Sequence, residues 1–167
     1  MGFLEFLRKG VVGVLNAQQK SMVDSMLKSS NRLMTMVNNI LDVAKMESGK
    51  IEVQLKDAAL AGLAGHALDV LGSLAQRRGI ELKLEAEEEF TMMLDPNQIE
   101  RVITNLVGNA IKFAPDDGCV TVSVSARGEE CQVCVADNGP GIPEAYLEKI
   151  FAKFEQVPGQ RRGGTGL

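Results

Sequence analysis

Asp95-Pro-Asn-Gln98 and Asn105-Leu-Val-Gly-Asn-Ala-Ile-Lys112 read as the start and the end of one helix, and that helix decides how the chain is read. Asp95 is placed to cap it, Pro96 suits the first helical position, and Gln98 completes an Asp-x-x-Gln capping box. Ile99, Val102, Ile103, Leu106 and Ala110 make one apolar stripe, which the period predicts to lie on a core. A second stripe is polar. At about 100° per residue, Asn105, Asn109 and Lys112 fall within roughly 60° of one another, giving two amide oxygens and an ammonium in one column. Such a column suits a magnesium–triphosphate, because magnesium takes hard oxygen ligands, keeps waters and shares its sphere with phosphate oxygens. Taken alone, the same residues also describe an ordinary solvated face.

Downstream, Cys131–Ala136 reads as a strand with Val133 and Val135 on one face, running into Asp137-Asn-Gly-Pro-Gly-Ile-Pro143. A carboxylate at a strand end can accept a hydrogen bond from an exocyclic amine such as adenine N6, and the glycines let a ligand approach the backbone. The alternative is plain turn chemistry. Gly163-Gly-Thr-Gly-Leu167 is either a flexible tail or a nest of N–H groups for phosphate oxygens. It lacks the Gly-Lys-Ser/Thr ending of a P-loop.

In order and spacing these runs resemble the sensor histidine kinases, within the wider superfamily of gyrase B, Hsp90 and MutL. Residues 105–113 are similar to the N box, 137–143 to the G1 box, Ile150-Phe-Ala-Lys-Phe154 to the F box, and 163–167 to the start of the G2 box. The resemblance implies that Asn109 ligates Mg²⁺, that Lys112 touches the phosphates, that Asp137 binds the adenine amino group and that Gly141 lies against the base. The ATP-contacting set it implies is Asn105, Asn109, Lys112, Phe113, Asp137, Gly139, Gly141, Ile142, Gly164, Thr165, Gly166 and Leu167. Residues 152–166 correspond to the ATP lid, and Pro158 to Gly163 have its turn-forming, basic composition. In the superfamily's hydrolases a water-activating glutamate stands four residues before the magnesium asparagine. Here Asn105 stands there, and an amide cannot act as a general base.

Upstream, residues 16–48 read as one helix, with Asn16 and Gln19 as a capping box and Gly49 after the last turn. Met22, Met26, Leu33, Met36 or Val37, Ile40 and Ala44 recur at spacings near 3.5, which predicts a bundle or coiled-coil seam. A helix spanning on the order of 50 Å outreaches a compact neighbouring domain. The segment Met36–Gly49 resembles the end of the second helix of a histidine-kinase dimerisation hairpin. Gly2–Leu7 then resembles the tail of the first helix, and residues 10–16 the hairpin turn.

The family's phosphoacceptor histidine precedes the part that matches Gly2–Leu7, so no H box is expected here. The chain's one histidine, His66, lies in Gly-His-Ala-Leu-Asp without an Arg-Thr-Pro signature. Its helix has Leu60, Leu63, Ala64, Ala67, Leu71 and Leu74 at core positions, and His66 is expected at the surface, toward Asp69 and Ser73. Family members also continue past Gly-Thr-Gly-Leu, so the expectation is a fragment truncated at both ends.

Composition agrees with a core of modest size: 167 residues, 45% apolar and 24% charged. There is no apolar run of about 18 residues to cross a membrane. A net charge of −4 and pI near 5.1 give no general attraction to nucleic acid. The N-terminus lacks a signal peptide's basic region, and Phe6 breaks a myristoylation motif, so the reading is cytoplasmic. Cys131-Gln-Val-Cys134 is formally a CxxC. On a strand, residues three apart face opposite ways, so the pair is not expected to hold a metal.

Further strands are expected at 51–55, 80–84, 90–94 and 120–124. With helices between them they give an α/β two-layer sandwich, a mixed sheet with helices on one face, preceded by an α-helical dimerisation hairpin. The domains are then 1–50 and 51–167. By resemblance the activity is that of the ATP-binding catalytic core of a histidine kinase. ATP phosphate passes to a histidine outside the chain, then to a response regulator receiver domain, with Mg²⁺ as cofactor and the chain as a homodimer. The alternative is a non-catalytic dimeric scaffold or a response-regulator docking module. An anti-sigma-type serine kinase does not fit the long N-terminal helix, and a gyrase-like ATPase does not fit Asn105.

Overall fold

The computed structural model describes residues 2–49, 52–86, 90–128 and 130–152. The chain divides near residue 51 into two compact units.

The first unit is helical. Helix α1, Gly2–Arg8, leads through a turn into α2, Ala17–Glu47. The expected capping box starts α2: Asn16 Oδ1 accepts the Gln19 N–H at 2.8 Å, and Gln19 Oε1 accepts the Asn16 N–H at 3.0 Å. Helix α1 packs on α2, and the apolar side chains buried among the described residues of this unit are Val23 and Leu27. The seam residues Met22, Met26, Leu33, Val37 and Ile40 are exposed in the single chain.

The second unit runs β1 (Lys56–Ala59), α3 (Leu60–Gln76), β2 (Glu81–Ala86), β3 (Thr91–Leu94), α4 (Pro96–Phe113), β4 (Cys119–Arg127) and β5 (Glu130–Asp137), followed by two 3₁₀ turns, Glu144–Tyr146 and Lys149–Phe151. Strand β4 is central, with β2 parallel on one side and β5 antiparallel on the other; β1 and β3 form a separate antiparallel pair. Val120, Val122 and Val124 alternate inward along β4 and are fully buried, while Thr121, Ser123 and Ser125 between them are not. Helices α3 and α4 pack on each other and on the sheet, with Leu60, Ala64, Ala67, Leu68, Ile103, Val107 and Ile111 joining the three valines in one core. This is the expected mixed sheet with helices on one face.

Several expectations are corrected. Residues 52–55 are not a strand: the Gln54 N–H goes to the Asp95 carboxylate at 2.9 Å instead of to a ladder partner, and pairing begins at Lys56. On α4 the core takes Ile103, Val107, Ala110 and Ile111, leaving Val102 and Leu106 about half exposed. Both lie about 60–100° round the helix from Asn105, on the border between core and polar column. On α3, Leu68 and Ala75 are buried, and Leu74 is exposed. His66 is at the surface as expected, but its Nδ1 meets Glu100 Oε1 of α4 at 2.9 Å, not Asp69 or Ser73. Cys131 packs against the core and Cys134 is exposed, so the CxxC does not converge.

Candidate functional site

Helix α4 is fixed at its start by one side chain. The Asp95 carboxylate accepts the Asn97 and Gln98 N–H groups at 3.1 and 3.2 Å, besides that of Gln54. The Gln54 N–H is the main reason its pKa lies below the usual carboxylate range; burial opposes the shift, and the Gln98 and Asn97 N–H groups and the Lys56 charge assist it. One carboxylate thus sets both the register of α4 and the path of the chain entering β1.

From this start, Asn105 and Asn109 fall on the exposed side of α4 and Lys112 is half-buried in its last turn. The Lys112 Nζ stands 4.4 Å from the centre of the Phe113 ring, and burial lowers the pKa of its ammonium. A partly desolvated cation gains more from a phosphate than a fully hydrated one does.

Strand β5 packs against α4 and ends at Asp137. Asp137 Oδ1 accepts the Gly139 N–H at 2.8 Å, closing an Asx turn, and Asn138 Oδ1 accepts the Cys119 N–H at 3.0 Å, tying the turn to β4. Gly139 is required by close approach: a Cβ there would stand 2.9 Å from the Phe113 carbonyl oxygen. Gly141 has φ +69°, a left-handed conformation that other residues adopt with strain. The turn and ligand readings of this segment are compatible, since a carboxylate that makes a turn through Oδ1 has a second oxygen suited to an amine.

The structure therefore brings two of the three sequence runs together. Asn105, Asn109, Lys112 and Phe113 occupy the second half of α4, and Asp137, Gly139, Gly141 and Ile142 the turn that packs at its end. Gly164, Thr165, Gly166 and Leu167, with Phe154 and almost all of the lid, lie outside the described residues. Of the F box, Ile150 and Phe151 are in the second 3₁₀ turn, with Phe151 strongly exposed. Among the described residues no group of three His, Cys, Asp or Glu could hold a metal. Sequence reasoning missed the tie between Asp95 and Gln54, and the role of Arg78, whose guanidinium reaches the backbone at the end of α4.

Comparison with known proteins matches residues 1–49 to the His Kinase A (phospho-acceptor) domain and residues 94–167 to the histidine kinase-, DNA gyrase B- and HSP90-like ATPase family. The chain belongs to the sensor histidine kinases. It is 31% identical to the circadian input-output histidine kinase CikA of Synechococcus elongatus, over 100% of this chain and 23% of that protein. With the virulence sensor protein BvgS of Bordetella bronchiseptica it shares 39% identity over 83% of this chain and 12% of the relative. Among solved structures, full-length ShkA in complex with AMPPNP superposes with a TM-score of 0.80 at 28% identity, covering 99% of this chain and 35% of that one. The chain thus spans about a quarter or less of these curated relatives. No helix among its described residues is long and apolar enough to cross a membrane.

Proposed function

We propose that residues 51–167 bind ATP with Mg²⁺ as the catalytic part of a cytoplasmic sensor histidine kinase, and that residues 1–50 contribute to a dimerisation hairpin. The observation that carries this reading is the packing of Gly139 on the Phe113 carbonyl, which holds the amide–ammonium column of α4 beside the Asp137 turn. In this reading Asp137 and Gly141 receive the adenine, Lys112 faces the phosphates, and Asn109 offers its amide oxygen to the ion. The donor set fits Mg²⁺, a hard cation that shares its sphere with water and phosphate oxygens and neutralises the charge on the phosphates. Asn105 supports a transferase over a hydrolase, because it cannot take a proton from water. The γ-phosphate passes to a histidine outside these 167 residues and from there to a response regulator receiver domain. His66 does not fit that role, because it stands on α3, outside the 1–49 segment matched to the phospho-acceptor family, and no Arg-Thr-Pro follows it.

Titration calorimetry with ATP, with and without Mg²⁺, tests the reading. Asn109→Ala removes an inner-sphere oxygen and lowers the magnesium-dependent affinity about tenfold or more. Equal affinities for the two proteins defeat the assignment. With labelled ATP the chain acquires no acid-labile phosphate, and label mapped to His66 overturns its exclusion.

The alternative, a dimeric scaffold or response-regulator docking module without catalysis, has one observation in its favour: residues 1–49, matched to a phospho-acceptor family, contain no histidine. A folded chain that forms dimers and binds no ATP in the same titration would establish it.

A further inference from the structure

Arg78 lies between α3 and β2, and its guanidinium spans the C-terminal end of α4. Nη1 donates to the carbonyls of Ile111 and Lys112, the latter at 3.3 Å, and Nη2 donates to that of Ala114 at 2.8 Å. Nε donates to Asp116 Oδ1 at 2.8 Å, and Nη2 reaches the same oxygen at 2.7 Å. The last carbonyls of a helix have no acceptor role within it, and a glycine cap commonly supplies their donors. Here Pro115 forces Ala114 into extended backbone, ψ 149°, so the chain leaves the helix without such a cap. A planar fork of N–H donors on a fixed positive charge fits this end in both geometry and sign.

Arg78 is itself held. Its N–H donates to Ala75 O at 2.9 Å, and its carbonyl accepts the Asp117 N–H at 2.9 Å. The next residue, Gly79, has φ +66°, and a Cβ there would stand 2.0 Å from Asp117 Oδ1. The corner before β2 and the loop before β4 are therefore interlocked, with the Asp117 carboxylate against Gly79 and the Arg78 guanidinium on Asp116. The remaining carbonyl of the turn, that of Phe113, is the one on which Gly139 packs.

We infer that Arg78 is a positioning residue of the nucleotide site: by clasping the carbonyls of Ile111, Lys112 and Ala114, it fixes the last turn of α4 against the Asp137–Gly141 turn, so that Lys112 and Asp137 meet one ligand in a set relation. This rests on the ATP reading above. It assigns to Arg78 a coupling that burial alone does not carry.

The test is a double-mutant cycle read by MgATP calorimetry on the full chain, at a temperature where circular dichroism shows each variant folded. Arg78→Met lowers affinity about fivefold or more, and in a Lys112→Met background the same replacement costs less than about twofold. Arg78→Lys, which keeps the charge without the fork, gives an intermediate loss. No loss in folded Arg78→Met, or the same loss in both backgrounds, overturns the inference, because a residue that only stabilises the fold acts independently of Lys112. If Arg78→Met does not fold, Arg78→Lys takes its place in the cycle under the same criteria. Lys112→Met and Asp137→Asn separate the two levels. If both bind MgATP like the wild type, the ATP reading falls and the inference with it; if both weaken binding and the Arg78 variants do not, the inference alone falls.

Discussion

Gly139 rests on the carbonyl oxygen of Phe113, where a Cβ would come within 2.9 Å of that oxygen and 2.6 Å of Asp137 Oδ1. Neither neighbour can yield cheaply. The carbonyl is backbone at the end of α4, and the carboxylate is engaged with the Gly139 N–H itself. Gly139→Ala must therefore push the turn away from the helix. The expected cost is about 1–3 kcal/mol in urea unfolding, as for other overpacked sites, with a loss of MgATP affinity because the two halves of the site separate. A wild-type unfolding midpoint together with wild-type affinity would show that the contact is not needed.

Asp95 predicts a pH dependence. Its folded pKa is lowered from 3.8 by the Gln54, Gln98 and Asn97 N–H groups, so the native state binds this proton less readily than the unfolded chain does. The stabilisation is then fully present above the unfolded carboxylate value and disappears as pH falls through the lower folded value. Asp95→Asn keeps one accepting oxygen and loses the charge. Its urea midpoint lies below that of wild type at pH 7, and the gap closes only as the pH falls from about 4 through the lowered folded value. A gap that stays constant as the pH is taken on below that range would mean the charge is not what the three N–H groups stabilise.

What was legible in the sequence follows from how local each signal is. The capping box at Asn16 and the N-cap at Asp95 need a few residues, and both form. Strands β2 to β5 declare themselves through alternation and turns. Residues 52–55 alternate just as well, but the Asp95 carboxylate takes the Gln54 N–H from 41 residues away, which no window on the sequence detects. Along α4 the period allows either Val102 and Leu106 or Val107 and Ile111 to face inward, and only packing against α3 and the sheet chooses the second pair. For the site, residue types and order pointed to the column and the turn. Arg78 had one sequence signal, the proline at 115 that leaves α4 without a glycine cap, but nothing local says which distant donor serves instead.

Position 105 offers a test of kinase against hydrolase character. Asn105 is exposed on α4 one turn before Asn109, the residue proposed to meet the metal. Asn105→Glu places a base where the superfamily's hydrolases carry one, and slow release of inorganic phosphate from ATP should rise. The assay is run beside MgATP titration of the same preparation. Unchanged hydrolysis by a variant that still folds and binds would place position 105 away from the attacking water.

The apolar seam of α2 makes the last prediction. Met26, Leu33, Val37 and Ile40 are 51%, 61%, 44% and 51% exposed, while Val23 and Leu27, the buried apolar residues of that unit among those described, are 7% and 6% exposed. Four large apolar side chains on one long helix, left to water, lose the burial that ordinarily stabilises such a sequence, so the proposed homodimer should cover them. At its centre, Leu33→Asp forces a carboxylate either to dehydrate or to break the contact, at a cost on the order of several kcal/mol. Light scattering over a concentration series should show wild type moving from monomer to dimer as concentration rises, and the variant remaining a monomer. If the wild type stays a monomer throughout, the dimer proposal fails for these residues. If Leu33→Asp lowers the melting temperature without changing mass, the stripe is an internal brace of a single chain.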